Sequence, residues 1–371
     1  MTFAVRRGSK PWAGQGCAAY PRVNNPGEVM RVVIVEKEAA EWDAFVQASP
    51  GANAYHRFGW SEVFTKSFGH KCYYLAALDE LGEWQGILPL VHMRSRLFGN
   101  FLVSLPYVNY GGLLCATDQA CVLLLEAAEK IRSECGAAYI EMRHVTQKLE
   151  NLPTKQNKVS MILALSGSSD TQWNHFNSKL RNQIRKSQKS GLEFRCGRME
   201  LLDDFYEVFA QNMRDLGTPV YAKKFFCTVL ETFPETTMIG AVYFEGIIIA
   251  AGLLSWFRKK IEIPWASSNK FYNARCPNHM LYWQLIELAI ERKFSEFDFG
   301  RSTLNEGTYN FKKQWGALPM QLNWQYQMDS NAKLPHLSPD NPKYRLAIRA
   351  WQHLPIPITK IVGPWIVRSI P

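Results

Sequence analysis

Short apolar runs separated by amphipathic stretches set the rhythm of this chain. Arg31-Val32-Val33-Ile34-Val35 is β-branched and predicts a strand. Residues 37–47 and 60–67 space their apolar positions as helices do, and stop at Ser49-Pro50-Gly51 and at Phe68-Gly69. Strands follow at 71–78 and 84–92 around an acidic turn, then a Gly/Pro-punctuated aromatic loop over 105–112, a helix over 118–135 and a strand over 138–143. The second half repeats this order. A strand at 160–164 leads to a basic helix at 171–190 and a mostly helical stretch over 201–231. A hairpin pairs 238–244 with 247–256 across Glu245-Gly246; a strand at 260–266, a helix at 277–293 and a strand at 296–299 close the set. The recurrence is a diverged duplication, matching Leu75–His92 with Gly240–Phe257 and Tyr139–Arg143 with Phe297–Arg301. The element order predicts an α/β (α+β) fold of two tandem domains, each a mixed twisted sheet flanked by helices. The divisions fall at 1–29 (a disordered extension or an upstream start, with Met30 before the first strand), 30–158, 159–330 and a basic amphipathic tail at 331–371.

At 371 residues, with 47% apolar and 13% aromatic side chains, the chain has material for two cores, and disorder throughout is excluded. The net charge of +10 is uneven. Residues 1–29 carry four cations against Glu28, and residues 331–371 carry six against Asp340, so the body is nearly neutral. Such ends are solvated, or attract the phosphates of lipid, nucleotide or RNA. The eight cysteines show no CxxC and no metal-like spacing with His, which predicts a reducing compartment and no zinc. No run reaches the length of a membrane span, and Arg6-Arg7 is followed by no apolar segment, so a cytoplasmic protein is expected.

Two constellations could carry chemistry. On a helix, Lys179, Arg181, Arg185, Lys186 and Lys189 share one face, opposite Trp173, Phe176, Leu180 and Ile184. Five cations with no acid before Glu193 repel one another, and an anionic ligand would relieve that; the alternative is a solvated face. The second constellation begins where the last strand ends in Gly300-Arg301-Ser302-Thr303 and continues through Glu306 to Gly316. Strand carboxyl ends are where open α/β sheets bind ligands. Asp298 is either a proton acceptor or a buried turn partner, and in an extended segment only one of Lys312 and Lys313 would face inward. Tyr107, Asn109 and Trp265 either line a substrate groove or belong to the core.

Lys179–Gly191 resembles the basic helix of the FemAB/FemX acyltransferases, and Tyr309-Asn-Phe-Lys-Lys-Gln-Trp-Gly-Ala317 resembles that family's Phe-Lys-x-x-Phe/Trp-Gly signature. Within it, the chain is most similar to the FemAB-like group that accompanies exopolysaccharide and PEP-CTERM sorting systems, often labelled BioF-like. The resemblance implies two tandem GNAT domains over about residues 30–330 and transfer of an aminoacyl or acyl group to an amine of a cell-envelope precursor, of peptidoglycan or exopolysaccharide type. It implies no permanently bound cofactor, a donor that is aminoacyl-tRNA or acyl-CoA, and a phosphate-bearing acceptor. By position in the motifs, Arg181, Arg185 and Lys189 would bind anions and Lys312 would reach phosphate or the reacting carbonyl. Arg301, Tyr309 and Lys313, in the loop that follows the last strand, are candidates to line the substrate site, and substrate phosphate or Asp298 is the candidate proton acceptor. Two features depart from the pattern: no helical-hairpin insertion is read, and Ala266–Pro277, where GNAT enzymes hold the CoA pyrophosphate, contains no glycine.

There is no G-x-S-x-G elbow, HExxH or Walker loop, so hydrolase and kinase readings lack support. The rival classes are a non-catalytic GNAT-like binding protein in an assembly machine, and RNA binding through the basic helix; no DNA partner is expected. The tail either rests peripherally on the inner membrane face or packs on the second domain.

Overall fold

The computed structural model describes residues 30–145, 149, 151–335 and 342–370. The expected N-terminal extension lies outside the described residues. Among these described residues the strands are β1 Arg31–Ile34, β2 Lys71–Leu78, β3 Trp84–Ser95, β4 Gly99–Val103, β5 Leu114–Cys115, β6 Tyr139–His144, β7 Thr154–Lys155, β8 Lys158–Ala164, β9 Leu192–Gly197, β10 Thr237–Phe244, β11 Ile247–Phe257, β12 Lys260–Ser268, β13 Glu296–Thr303, β14 Leu318–Gln321 and β15 Asn323–Met328. The helices are α1 Ala39–Ala48, α2 Gly59–Phe68, α3 Asp118–Glu134, α4 Ser169–His175, α5 Ser178–Gln188, α6 Leu202–Asp215, α7 Lys223–Thr232, α8 Pro277–Glu291, α9 Gly307–Lys313, α10 Pro342–Gln352 and α11 Ile356–Val367.

Two mixed sheets result. The first runs β1-β2-β3-β4-β6-β15-β7, with β5 on β3; the second runs β14-β8-β13-β12-β11-β10-β9. Read from opposite ends, they place β4 and β6 where the second sheet has β12 and β13. Each pair is parallel, and each is joined by a helix crossover (α3 and α8) as parallel neighbours require. The duplication seen in the sequence is thus a duplication of topology. One strand crosses between the halves: β15, expected in the second domain, pairs along its whole length with β6 of the first sheet, Asn323 opposite His144 through Met328 opposite Tyr139.

The core is shared as well. One apolar cluster runs from Trp42, Trp60 and Phe64 of the first half to Phe205, Phe225 and Trp265 of the second. Helices α2 and α7 meet so closely that a Cβ on Gly59 would lie 2.7 Å from Thr232. A second cluster packs α8 and α5 against the other face of the second sheet.

Two local expectations change. The basic helix is not continuous over 171–190: α4 ends at Phe176, whose backbone is extended, and Asn177 caps α5 by accepting from the Leu180 N–H. Residues 307–313 are helical, not extended, though Lys312 still faces inward and Lys313 outward. No helix among the described residues is long and apolar enough to cross a membrane.

Candidate active site

The second sheet splits where β12 and β13 part. They pair only from Lys260–Glu296 to Glu262–Asp298, and β13 then bulges at Gly300, whose φ of 73° suits glycine. Side-chain alternation sends Phe297 and Phe299 into the α8 layer, with Tyr282 5.1 Å from Phe299, and Asp298 to the opposite face. There the first domain's aromatic loop docks. Asn109 donates to Glu262 Oε1 at 2.6 Å, and Asn109 Nδ2 lies 3.1 Å from where a Gly300 Cβ would stand. The Tyr110 hydroxyl lies 2.6 Å from Asp298 Oδ2 and 2.9 Å from Glu262 Oε2.

The expectation that Asp298 accepts a proton does not survive this geometry. Asp298 is fully buried; Oδ1 accepts from Ser160 Oγ at 2.6 Å and the Gly300 N–H at 2.8 Å, and Oδ2 meets Tyr110 and, at 2.8 Å, the Lys260 ammonium. All four acceptor positions are filled. Burial pushes its pKa up, but Lys260 and the hydrogen bonds outweigh that, and the net shift is downward. Asp298 is a structural anchor, the buried turn partner that was the alternative.

Glu262 behaves oppositely. Burial first, and then the Asp298 charge, raise its carboxyl to about 7. Proton counting agrees. Tyr110 has one hydroxyl hydrogen and sits between two carboxylates; if it donates to Asp298, the Glu262 contact needs a proton from Glu262. Glu262 also lines a cavity of about 230 Å³ at the domain seam, with Asn53, Tyr110, Arg258 and Lys260. Sequence reasoning missed this residue. Its one signal was an acid between Ile261 and Ile263 in a strand.

Lys312 lies just beyond the split. Its ammonium donates to the carbonyls of Gly300 at 3.0 Å and Arg301 at 2.9 Å, and is itself buried. These bonds pin the bulge and leave one N–H of the ammonium uncommitted. Desolvation lowers its pKa to about 8, against the attraction of Asp298 and Glu262. The exposed position that a surface motif would suggest is not what the structure has.

Arg301 is exposed, yet crowding by protein and then the Arg143 charge pull its pKa down to about 10. Arg143 and Arg301, equivalent in the duplication, both lie over Trp324, at 4.2 and 5.0 Å from the ring. Arg181 is half-buried with an unpartnered Nε, Arg185 lies 5.2 Å over Trp173, and Lys189 is exposed at the end of α5. Helix α5 abuts the start of α8, where the Cys276 thiol meets Gln183 at 2.9 Å, and α8 has no side-chain cap. From α8, His279 packs on Phe311 of α9 at 5.5 Å. The basic helix, the α8 N-terminus and α9 therefore share one edge of the sheet, although Lys312 spends two hydrogens on the strand and not on that face.

For Tyr107 and Trp265 the structure takes the core alternative, and for Tyr309 it replaces a substrate-lining position with a buried one. Tyr107 is buried, stacks on Phe68 at 4.2 Å and donates to the Arg368 carbonyl; Trp265 is wedged edge-on against Phe225 and Phe226; Tyr309 is buried in the α8 layer. All three are core. Asn109 holds Glu262 in place, and Lys313 is exposed.

Comparison with known proteins finds likenesses over part of the chain and across the fold. Residues 174–313 match the model of an acetyltransferase (GNAT) domain. A lipid II:glycine glycyltransferase of Staphylococcus saprophyticus is 26% identical over 111 residues, 28% of this chain and 27% of the relative, so the chain matches about a quarter of that protein's length. The crystal structure of FemX superposes with a TM-score of 0.63 at 16% identity, covering 80% of this chain and 96% of FemX. A tandem GNAT protein from the clavulanic acid pathway gives 0.53 at 9% identity, covering 82% and 100%. The chain is thus similar to an acetyltransferase (GNAT) domain over 174–313 and to a lipid II:glycine glycyltransferase over a short stretch, and it shares with FemX and the tandem GNAT protein a fold of two such units in tandem.

Proposed function

We propose that the chain transfers an aminoacyl or acyl group to a primary amine of a phosphate-bearing cell-envelope precursor, at the split between β12 and β13. The observation that carries this is the pair Glu262 and Lys312, both buried there and both drawn towards neutral pH, to about 7 and about 8. The amine attacks the donor's carbonyl carbon; the carbonyl π electrons move to oxygen, and collapse expels the alcohol of an aminoacyl ester or the thiol of a thioester. Glu262, as carboxylate, takes the proton the amine loses and passes it to the departing oxygen or sulfur, which returns Glu262 to its starting state. The third Lys312 N–H supports the transient oxyanion. Held reactants supply much of the remaining acceleration.

Support for the phosphate comes from Arg301, the accessible cation beside the split, and from the α5 cations beside the uncapped α8 N-terminus, a combination suited to anions. The matched relative's name makes lipid II its acceptor, which favours a peptidoglycan-type precursor here. An exopolysaccharide-linked acceptor rests on the motif resemblance alone. Aminoacyl-tRNA fits the absence of glycine in Ala266–Pro277 better than acyl-CoA does. The same reading puts the protein peripherally at a membrane face. The test is to incubate the whole chain with lipid II and either glycyl-tRNA or acetyl-CoA and to weigh the acceptor. A mass gain in one arm supports the reading; no gain with any of a panel of aminoacyl-tRNAs and acyl-CoA thioesters overturns it.

A further inference from the structure

Helix α11 is apolar on its inner and outer faces, with Lys360 at its side paired to Glu207 of α6. Its inner face, Thr359, Gly363 and Val367, is buried against the second domain, with Gly363 so close that a Cβ would lie 2.8 Å from the Val220 nitrogen. Its outer face carries Ile358, Ile361, Val362 and Trp365, exposed at 44, 69, 40 and 72%. The spacing i, i+3, i+4, i+7 makes them one stripe about 100° wide. A helix packed on one side only has no reason to be apolar on the other unless something covers it.

We propose that this stripe docks the protein on a bilayer of anionic phospholipid, α11 lying flat in the headgroup region with its outer side chains in the acyl boundary. Three observations choose that occupant. The helix has 12 residues against the roughly 20 needed to span, so it can rest in a membrane but not cross it. The tail itself is cationic: no Asp or Glu follows Asp340, Lys360 neutralises Glu207 of the adjoining α6, Arg368 lies two turns along the line of Ile361, and Arg368 and Arg349 are exposed. The stripe offers on the order of 500 Å², short of the roughly 800 Å² per partner of a stable protein interface. Trp365 suits the wet edge of an apolar phase, where its ring is buried and its N–H hydrated.

The inference does not depend on acyl transfer. Vesicle flotation tests it, using the whole chain with vesicles of phosphatidylcholine alone and of phosphatidylcholine mixed with phosphatidylglycerol. Binding is expected to the mixed vesicles and to weaken as salt rises. The double variant I361S/W365S should lose at least about tenfold in partitioning with an unchanged melting temperature, while W365F keeps most of it. Failure of the wild type to float with mixed vesicles overturns the proposal, as does undiminished binding by I361S/W365S. A dimer seen by sedimentation in the wild type and absent from I361S/W365S also overturns it, since a second copy would then be what covers the stripe. Transfer to a water-soluble acceptor, measured in parallel, reports on the active-site reading alone.

Discussion

Replacing Glu262 with Gln should make the protein more stable and less active, with the stability gain appearing only as pH rises. Glu262 holds its proton more tightly folded than unfolded, moving from 4.5 to about 7. The stability this adds is full below pH 4.5 and is lost as pH climbs towards 7. At roughly 1.4 kcal/mol per unit, the folded state above pH 7 is less stable by about 3 kcal/mol than at pH 4.5, on this account alone. Gln needs no ionisation. Its amide N–H can donate to the Tyr110 oxygen, supplying the hydrogen that the Tyr110 contact with two carboxylates lacks, and its carbonyl can accept from Asn109. Urea unfolding of both proteins at half-unit steps from pH 5 to 8 reads the difference directly. We expect E262Q to exceed wild type by little at pH 5 and by about 2–3 kcal/mol at pH 8, with an unchanged urea slope. Its turnover should fall by about 10²–10⁴-fold, the usual weight of a positioned proton acceptor. A stability difference that is flat across this range refutes the protonation argument, even if activity is lost.

Lys312→Ala removes a charged donor from two strand carbonyls and should cost about 2–3 kcal/mol in stability, by thermal or urea unfolding, and lower kcat/KM for transfer by about 10–100-fold. Arg181→Ala and Arg185→Ala should raise KM for the phosphate-bearing substrate while changing stability by less than about 0.5 kcal/mol, since neither side chain is fully buried. Tyr107→Phe loses its hydrogen bonds to His70 and the Arg368 carbonyl, and should lower the melting point by a few degrees with kcat unchanged. In wild type, log kcat/KM should rise through about pH 7 as Glu262 ionises and fall beyond about pH 8 as Lys312 loses its charge; E262Q should lack the rising limb.

The parts legible in the sequence were those governed by local chemistry. The hairpin over Glu245-Gly246 was readable because both residues adopt positive φ, 52° and 76°, in a turn that suits them. The helix at 277 was readable from its leading Pro, and the order of strands from their β-branched runs. What escaped depends on partners far away in the chain. Nothing near Phe176 announces the break between α4 and α5; the Asn177 cap is visible only once the helix is seen to start there. Asp298 and Glu262 look alike as single acids in apolar strands. Their opposite roles come from Ser160, Tyr110, Asn109 and Lys260, more than a hundred residues away in three of the cases. Tyr107 and Trp265 carry no local mark that separates a groove from a core.

The duplicated split also gives a reason for placing the proposed chemistry in the second domain. In the first sheet, β4 and β6 part after Val103 and Glu141, just as β12 and β13 part after Glu262 and Asp298. There, however, the opening is filled from within. Arg143 turns back to pair with Glu141 at 2.8 Å and to donate to the Val108 carbonyl, and Tyr326 of the crossing strand β15 donates to Glu141 at 2.8 Å. Both charges are buried and neutralise each other, so that split has neither an open cation nor an unclaimed proton acceptor. Among the described residues the second split shows no such acidic partner for Arg301, which stays accessible, and its carboxylates are met by side chains borrowed from the first domain. The first domain thus closes its own site and, by helping to bury Glu262, favours the protonated carboxyl in its neighbour's, although the hydrogen bonds of Asn109 and Tyr110 pull the other way. That division matches the family model, which covers 174–313 and leaves the first domain unmatched. Because β15 must cross back to complete the first sheet, the site depends on both halves being folded together, and an isolated second domain would expose Glu262 to water and return its carboxyl to the ordinary range.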